Sequence, residues 1–187
     1  MNAAGVCGTV IGAIEQATQD VFSLMIGVDV SREAGGAPAG AAELAEGGIC
    51  SEFTLSGAIG GRATVSYSMT LARWIAAQML QSDELCSEQE VLDAAGEVAN
   101  MIVGNVKNKL ENYVGTIQIS TPAVGKLERL EAATSSATAN AVSFRCQESV
   151  FTVAIAFRES SALAETPEPG AFAAKPDGSP PPAESPL

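Results

Sequence analysis

Asp93, Glu97, Asn100 and Gly104 fall on one stripe of a stretch that reads as a single helix, Ser87 to Tyr113, SEQEVLDAAGEVANMIVGNVKNKLENY. At about 100° per residue they point away from its apolar side. The chemistry open to such a set is that of carboxylates and a carboxamide. Acids attract cations, and an amide both donates and accepts hydrogen bonds. A few polar residues in line are also what an ordinary solvated helix face presents, so the stripe alone leaves both readings open. Asn is a poor helix former, and Gly104 in an exposed helix interior costs about 1 kcal/mol relative to Ala, as does Gly96 nearby. Small residues beside a Glu/Asn pair would let another backbone come close to the helix. A glycine serves equally where a helix crosses a neighbour.

The rest of the chain removes most other chemistries. It has 187 residues, a net charge of −12 and no histidine. Without histidine there is no Ser-His-Asp or Cys-His centre, no histidine general base and no phosphohistidine relay. Cys7, Cys50, Cys86 and Cys146 are widely scattered with no CxxC, so buried or half-buried free thiols are expected rather than a zinc site. No cysteine is followed by arginine at the spacing of a cysteine phosphatase loop. There is no GxxxxGK, and Gly57, Gly60 and Gly61 do not fit GxGxxG. No Lys/Arg cluster offers a nucleic-acid surface, and no basic amphipathic helix offers a membrane surface. The opening MNAAGVCGTVIGAIEQ lacks a positive n-region and breaks at Glu15, so it reads as the lead into a packed helix and not as a signal peptide. No stretch approaches the length that spans a bilayer. The cytoplasm is the expected compartment.

The elements that must hold the stripe follow from periodicity. In the central helix Val91, Leu92, Ala95, Val98, Ala99, Ile102, Val106 and Leu110 recur at helical spacing, Ser87 with Glu90 forms a capping box, and Gly115 lies just past the end. A first helix is predicted from about Thr9 to Met25, with Ile11, Ile14, Ala17, Val21, Phe22 and Met25 on one side and Gly27 ending it. Val28 to Val30 reads as a short strand. Ser31 to Gly48 reads as a mobile Gly/Ala-rich loop with a helical turn near Ala41 to Ala45. From Ile49 to Thr70 the period becomes two: Phe53 and Leu55, then Val65, Tyr67 and Met69, around Gly60-Gly61, predict a β-hairpin. Leu71 to Gln81 is a short helix with Leu71, Trp74, Ile75 and Met79 inward, broken at Ser82-Asp83.

After the central helix, Thr116 to Ser120 reads as a strand ended by Thr121-Pro122, since proline cannot donate to a ladder. Leu127 to Ala139 is a connection. Ala141 to Cys146 and Val150 to Arg158 then form a second hairpin, with Phe151, Val153, Ile155 and Phe157 on one face. The small alternate positions Thr152, Ala154 and Ala156 suit an edge or an interface. The expected fold is α+β, an antiparallel sheet with two long helices packed on it. Residues 1–159 form the domain, and 160–187, with seven of the nine prolines, form a disordered tail whose PPP could dock a proline-binding module.

DAAGEVANMIVGN, in which Asp93-x3-Glu97-x2-Asn100 is followed by Gly104-Asn105, resembles the signature helix of the CheC/CheX/FliY phosphatases of bacterial chemotaxis. The first helix ending VFSLMIG, the hairpin LSGAIGGRATVSYSM, the helix ARWIAAQML and the closing strands occur in the order seen in CheX. The resemblance covers roughly Thr9 to Arg158. It implies a CheC/CheX-like fold and a substrate, the phospho-aspartate of a CheY-like response regulator in two-component signalling. It also implies a hydrolase that binds no cofactor of its own, Mg²⁺ being supplied by the receiver.

An acyl phosphate is already activated, so the resemblance requires only that one water be placed in line with the phosphorus beside the receiver's own Mg²⁺ and lysine. Asn100 is the catalytic candidate for holding that water, because its carboxamide is uncharged. Glu97, one turn earlier, is the catalytic candidate for pairing with the receiver lysine and orienting the helix. Asp93 is a peripheral partner contact or helix support, and Gly104 gives clearance to the partner. CheC-type members carry two such motifs, but the first helix here offers only Ile11-x3-Glu15-x2-Thr18, which implies one site per subunit. CheX relatives are homodimers that join their sheets, and the Phe151 to Phe157 strand could serve. Two other classes stay open: an adaptor that binds a phosphorylated regulator without consuming it, and a structural dimer module.

Overall fold

A computed structural model describes residues 3–33, 47–81, 86–126 and 139–158. The first helix, α1 (Ala3–Val21), begins earlier than the periodicity suggested and runs on into a π turn, Phe22–Ile26. The turn closes with the Gly27 N–H bonded to the Phe22 carbonyl at 2.9 Å, and Gly27 sits at φ 77°. This i→i+5 closure widens the helix and shifts the side-chain phase. Phe22 and Ile26 are therefore buried, whereas Met25, expected on the inner side, is 55% exposed. Val28 to Val30 is irregular, and the strand expected there is instead the two-residue β1 (Ser31–Arg32). The helical turn expected near Ala41 to Ala45 lies outside the described residues, as do Ser82-Asp83, most of the Leu127 to Ala139 connection and the Pro-rich tail.

The first hairpin is β2 (Gly48–Gly57) and β3 (Gly61–Ser68), in register Phe53 with Ala63 and Leu55 with Gly61. Gly61 is required by space, because a Cβ there would collide with the Ala156 carbonyl oxygen of the next strand. Met69, expected to close the strand, instead opens α2 (Met69–Leu80), whose N-cap Ser68 accepts the Leu71 N–H at 3.2 Å. Leu71 and Ile75 are buried, and Trp74 and Met79 pack partly buried against the core.

The central helix is α3 (Glu88–Val114), 27 residues and about 40 Å long. Its capping box forms as expected: the Ser87 N–H donates to Glu90 Oε2 at 2.7 Å, and the Glu90 N–H donates to Ser87 Oγ at 3.3 Å. The Ser87 hydroxyl, which donates to Glu90 Oε2 at 2.7 Å, and then the Ser87 N–H hold the Glu90 carboxyl below its ordinary value. At the far end Glu111 accepts the Ile117 N–H at 2.8 Å and the Lys107 ammonium at 2.9 Å, tying the helix to the next strand.

That strand is β4 (Ile117–Ile119), and it ends before Thr121-Pro122 as expected. It resumes as β5 (Ala123–Lys126), and both pair with β2, β4 along Leu55 to Gly57 and β5 along Ile49 to Glu52. The residues between carry one more position than the β2 side opposite, a bulge where Pro122 has no ladder bond to make. The second hairpin is β6 (Ala139–Cys146) and β7 (Ser149–Phe157).

All seven strands are in one antiparallel sheet, ordered β1-β6-β7-β3-β2-β4 with β5 also on β2. β7 therefore lies between β6 and β3, so of the edge and interface roles expected of its small alternate positions the edge is wrong. The small residues Thr152 and Ala154 are buried on the sheet's far face, beside Thr64 and Ser66.

The helices cover the other face, with α1 and α3 packed against each other. Phe151 stacks on Phe22, Phe144 and Tyr67 at 4.8, 5.3 and 5.7 Å between ring centres, so the π turn and three strands share one aromatic cluster. Cys50, Cys86 and Cys146 are free, and burial pushes the Cys50 and Cys146 thiols up to about 11. Such thiols are poor nucleophiles. Among the described residues no helix is long and apolar enough to cross a membrane.

Candidate functional site

A buried face that runs from Val91 through Ala95, Val98, Ala99, Ile102, Val103 and Val106 to Leu110 holds α3 on the core. With one face fixed, the opposite stripe is fixed too. Asp93 and Glu97 are exposed, and Asn100 and Gly104 are half-buried. Asp93 is occupied locally, its Oδ1 accepting from Gln89 Nε2 at 2.7 Å. Among the described residues Glu97 and Asn100 have no hydrogen-bond or ion-pair partner. A carboxylate and a carboxamide one turn apart are thus held by the backbone beneath them and not by bonds to their own side chains.

Each side of the stripe is a groove. On the β5 side Gln89, Asp93, Glu97, Asn100, Pro122 and Val124 enclose about 520 Å³. On the α1 side Leu24, Met25, Asn100, Met101, Gly104 and Asn105 line a second groove of about 330 Å³. Asn100 is the stripe residue common to both. Gly96 and Gly104 have different reasons to be small. A Cβ on Gly96 would stand 2.9 Å from Val124 Cγ2, so this glycine lets β5 approach. A Cβ on Gly104 would meet nothing within 4 Å, so this glycine leaves open space beside Asn100.

The structure thus brings Asp93, Glu97, Asn100 and Gly104 to one surface. Pro122, read from the sequence only as a strand end, and Val124, not singled out there, wall that surface; AVGK has no alternation, and only its pairing with β2 makes it a strand. Met25, expected on the inner side, reaches this surface because the π turn displaces it, and Leu24 beside it is exposed too. The matching positions of α1 form no second stripe. Thr18 is fully buried with its hydroxyl donating to the Ile14 carbonyl at 2.8 Å, and Glu15 is drawn to Arg32 at 3.6 Å. The stripe's two carboxylates, one already bonded to Gln89, do not make a metal-binding set, and no cluster of three His, Cys, Asp or Glu side chains occurs among the described residues.

Residues 49–146, from β2 through β6 with all of α3, match the family model described as chemotaxis phosphatase CheX. The chain belongs to the CheX family. No curated protein sequence matches it. Among solved structures it is similar to the chemotaxis protein CheX from Desulfovibrio desulfuricans, 21% identical, with 80% of this chain and 99% of that chain covered and a TM-score of 0.63. CheX from Vibrio vulnificus is 20% identical over 80% of this chain and 96% of that chain, with a TM-score of 0.64. The CheX of the CheX-CheY-BeF3-Mg²⁺ complex from Borrelia burgdorferi is 19% identical over 80% of this chain and 97% of that chain, with a TM-score of 0.62. At such identities these likenesses concern the CheX fold, an antiparallel sheet with helices packed on it, and not the role of any side chain.

Proposed function

We propose that this CheX-family chain accelerates hydrolysis of the phospho-aspartate of a CheY-like receiver, with Asn100 and Glu97 as its catalytic residues. The supporting observation is their placement: adjacent turns of a rigid helix, solvent-facing, unpartnered among the described residues, with a groove on either side. The CheX-CheY complex of the Borrelia relative supports a CheY-like receiver as the partner.

The reaction asks little of the chain. A water oxygen adds to phosphorus, the bond from phosphorus to the aspartate oxygen breaks, and the aspartate leaves as a carboxylate. Inorganic phosphate carries off both of the water's protons, and loses one to solvent as it equilibrates near neutral pH. The carboxylate is a good leaving group, so no nucleophile or strong base is needed from the chain. The barrier lies in placing the water in line. The Asn100 carbonyl oxygen accepts from that water, its amide donates to a phosphoryl oxygen, and its neutrality avoids repelling the phosphoryl group. Glu97 pairs with the receiver's active-site lysine and fixes the helix in the cleft. Mg²⁺ on the receiver would offset phosphoryl charge. Such a reaction belongs in the cytoplasm, where receivers signal.

The deciding experiment times phosphate release from a CheY-like receiver phosphorylated with acetyl phosphate. Wild-type protein should accelerate release. Asn100→Ala should lower kcat about 100-fold or more while binding persists. Glu97→Ala should raise KM as well. Normal turnover by Asn100→Ala would remove that residue from the mechanism, and binding without acceleration by wild type would make the chain an adaptor.

A further inference from the structure

The π turn that ends α1 places two large apolar side chains in water: Leu24 is 82% exposed and Met25 is 55% exposed. Fraying does not account for them. Their neighbours Phe22 and Ile26 are buried, Phe22 is stacked on Phe151, and Gly27 closes the turn on the Phe22 carbonyl. The backbone is thus held by its inward residues, and the outward pair is presented on a firm base. Single-turn π closures of this kind are often found at functional sites.

Position gives the pair its meaning. Leu24 and Met25 form one wall of the 330 Å³ groove whose other wall is Asn100, Met101 and Gly104 of α3. Asp20, at the same groove, is already paired with Lys109 at 3.3 Å. The nearby charge with no partner among the described residues is Glu97, across Asn100. A molecule that reaches Asn100 from outside must also cover this groove, where Gly104 offers no Cβ to hold it off. We propose that Leu24 and Met25 are the apolar docking half of the site and take an apolar surface beside the phospho-aspartate pocket of the same CheY-like receiver. The inference rests on the function proposed above and adds residues that set affinity and partner choice rather than rate. A second copy of this chain is a poorer occupant, because it would bring another acid-bearing surface of a molecule with net charge −12 against this one.

The test is the double variant Leu24→Ser/Met25→Ser, with Leu80→Ser, a comparably exposed leucine at the end of α2, as control. Receiver phosphorylated with acetyl phosphate gives turnover, and receiver loaded with BeF3⁻ and Mg²⁺ gives affinity by titration. Both substituted residues are exposed, so the melting curve should match wild type. The expected result is a rise in KM and Kd of about 10-fold, with kcat within about 2-fold. Leu80→Ser should leave both unchanged. Unaltered Kd in the double variant overturns the proposal, as does an equal loss in Leu80→Ser. A change in sedimentation with unaltered receiver affinity assigns the pair to a second copy, and also overturns it. Failure of the function itself reads differently: wild type then binds loaded receiver without accelerating release, and the docking role is judged on the titration alone.

Discussion

Gly96 of α3 and Val124 of β5 meet so closely that a Cβ on Gly96 would stand 2.9 Å from Val124 Cγ2. This contact sets the floor of the groove that Glu97 and Asn100 border. Gly96→Ala would recover about 1 kcal/mol of helix propensity, but valine is stiff at χ1 and something must shift, at a cost of about 1–3 kcal/mol. Gly96→Ala should therefore lower stability by about 0–2 kcal/mol, and Val124→Ala should relieve it. In a double-mutant cycle by urea denaturation the pair should couple favourably, and strict additivity would show that the contact does not constrain the helix.

Gly104 predicts the opposite balance. A Cβ there meets nothing within 4 Å, so Gly104→Ala should stabilise the protein by about 0.5–1 kcal/mol through helix propensity alone. If a receiver closes over Asn100, the added methyl group intrudes on it, and KM should rise while the melting temperature does too. A variant both more stable and fully active would remove clearance as the reason for this glycine.

What could be read from the sequence was local. The α3 capping box, its buried face, and the alternation of Phe53, Leu55, Val65 and Tyr67 are set by neighbours within a few residues, and the structure reproduces them. The parts that escaped depend on distant partners. Ala123 to Lys126 is a strand only because β2 lies beside it, and the Phe151 to Phe157 strand is interior only because β6 and β3 flank it. Met25 failed for another reason, since an i→i+5 closure breaks the 3.6-residue period from which its inward side was inferred. The polar stripe could be drawn on a helical wheel, but the two grooves beside it could not, because their outer walls come from α1 and β5.

Thr18 bears on the number of sites. It occupies the place in α1 that Asn100 holds in α3, yet it is fully buried and bonded back to the Ile14 carbonyl. Restoring the motif with Thr18→Asn should thus create no second site. The larger amide must be packed into the core with part of its hydrogen bonding unmet, a loss of about 2–5 kcal/mol in unfolding free energy. Chemical denaturation checks the loss, and release of phosphate per subunit should not rise. A gain in turnover would mean that the α1 face can open.

Glu111 joins the end of α3 to β4 by accepting the Ile117 N–H, and the Lys107 ammonium of its own helix together with that bond holds its carboxyl below the ordinary 4.5. In the unfolded chain the same group protonates at its ordinary value. Above about 4.5 both states are ionised and the full contribution to stability is present. As pH falls below that value the unfolded state takes up its proton first, and the contribution drains away until the folded carboxyl is protonated as well. Glu33, Glu88 and Glu90 are lowered in the same direction by Arg145, Lys126 and Ser87 respectively, so they add to the same acid slope. Melting curves between neutral pH and pH 3 should show wild type losing stability faster than Glu111→Gln below 4.5. The variant should begin a few degrees lower at neutral pH, since a neutral amide keeps the bond from Ile117 but loses the charge facing Lys107. The two curves should converge in acid, and parallel curves would show that the Glu111 contacts are not what its ionisation stabilises.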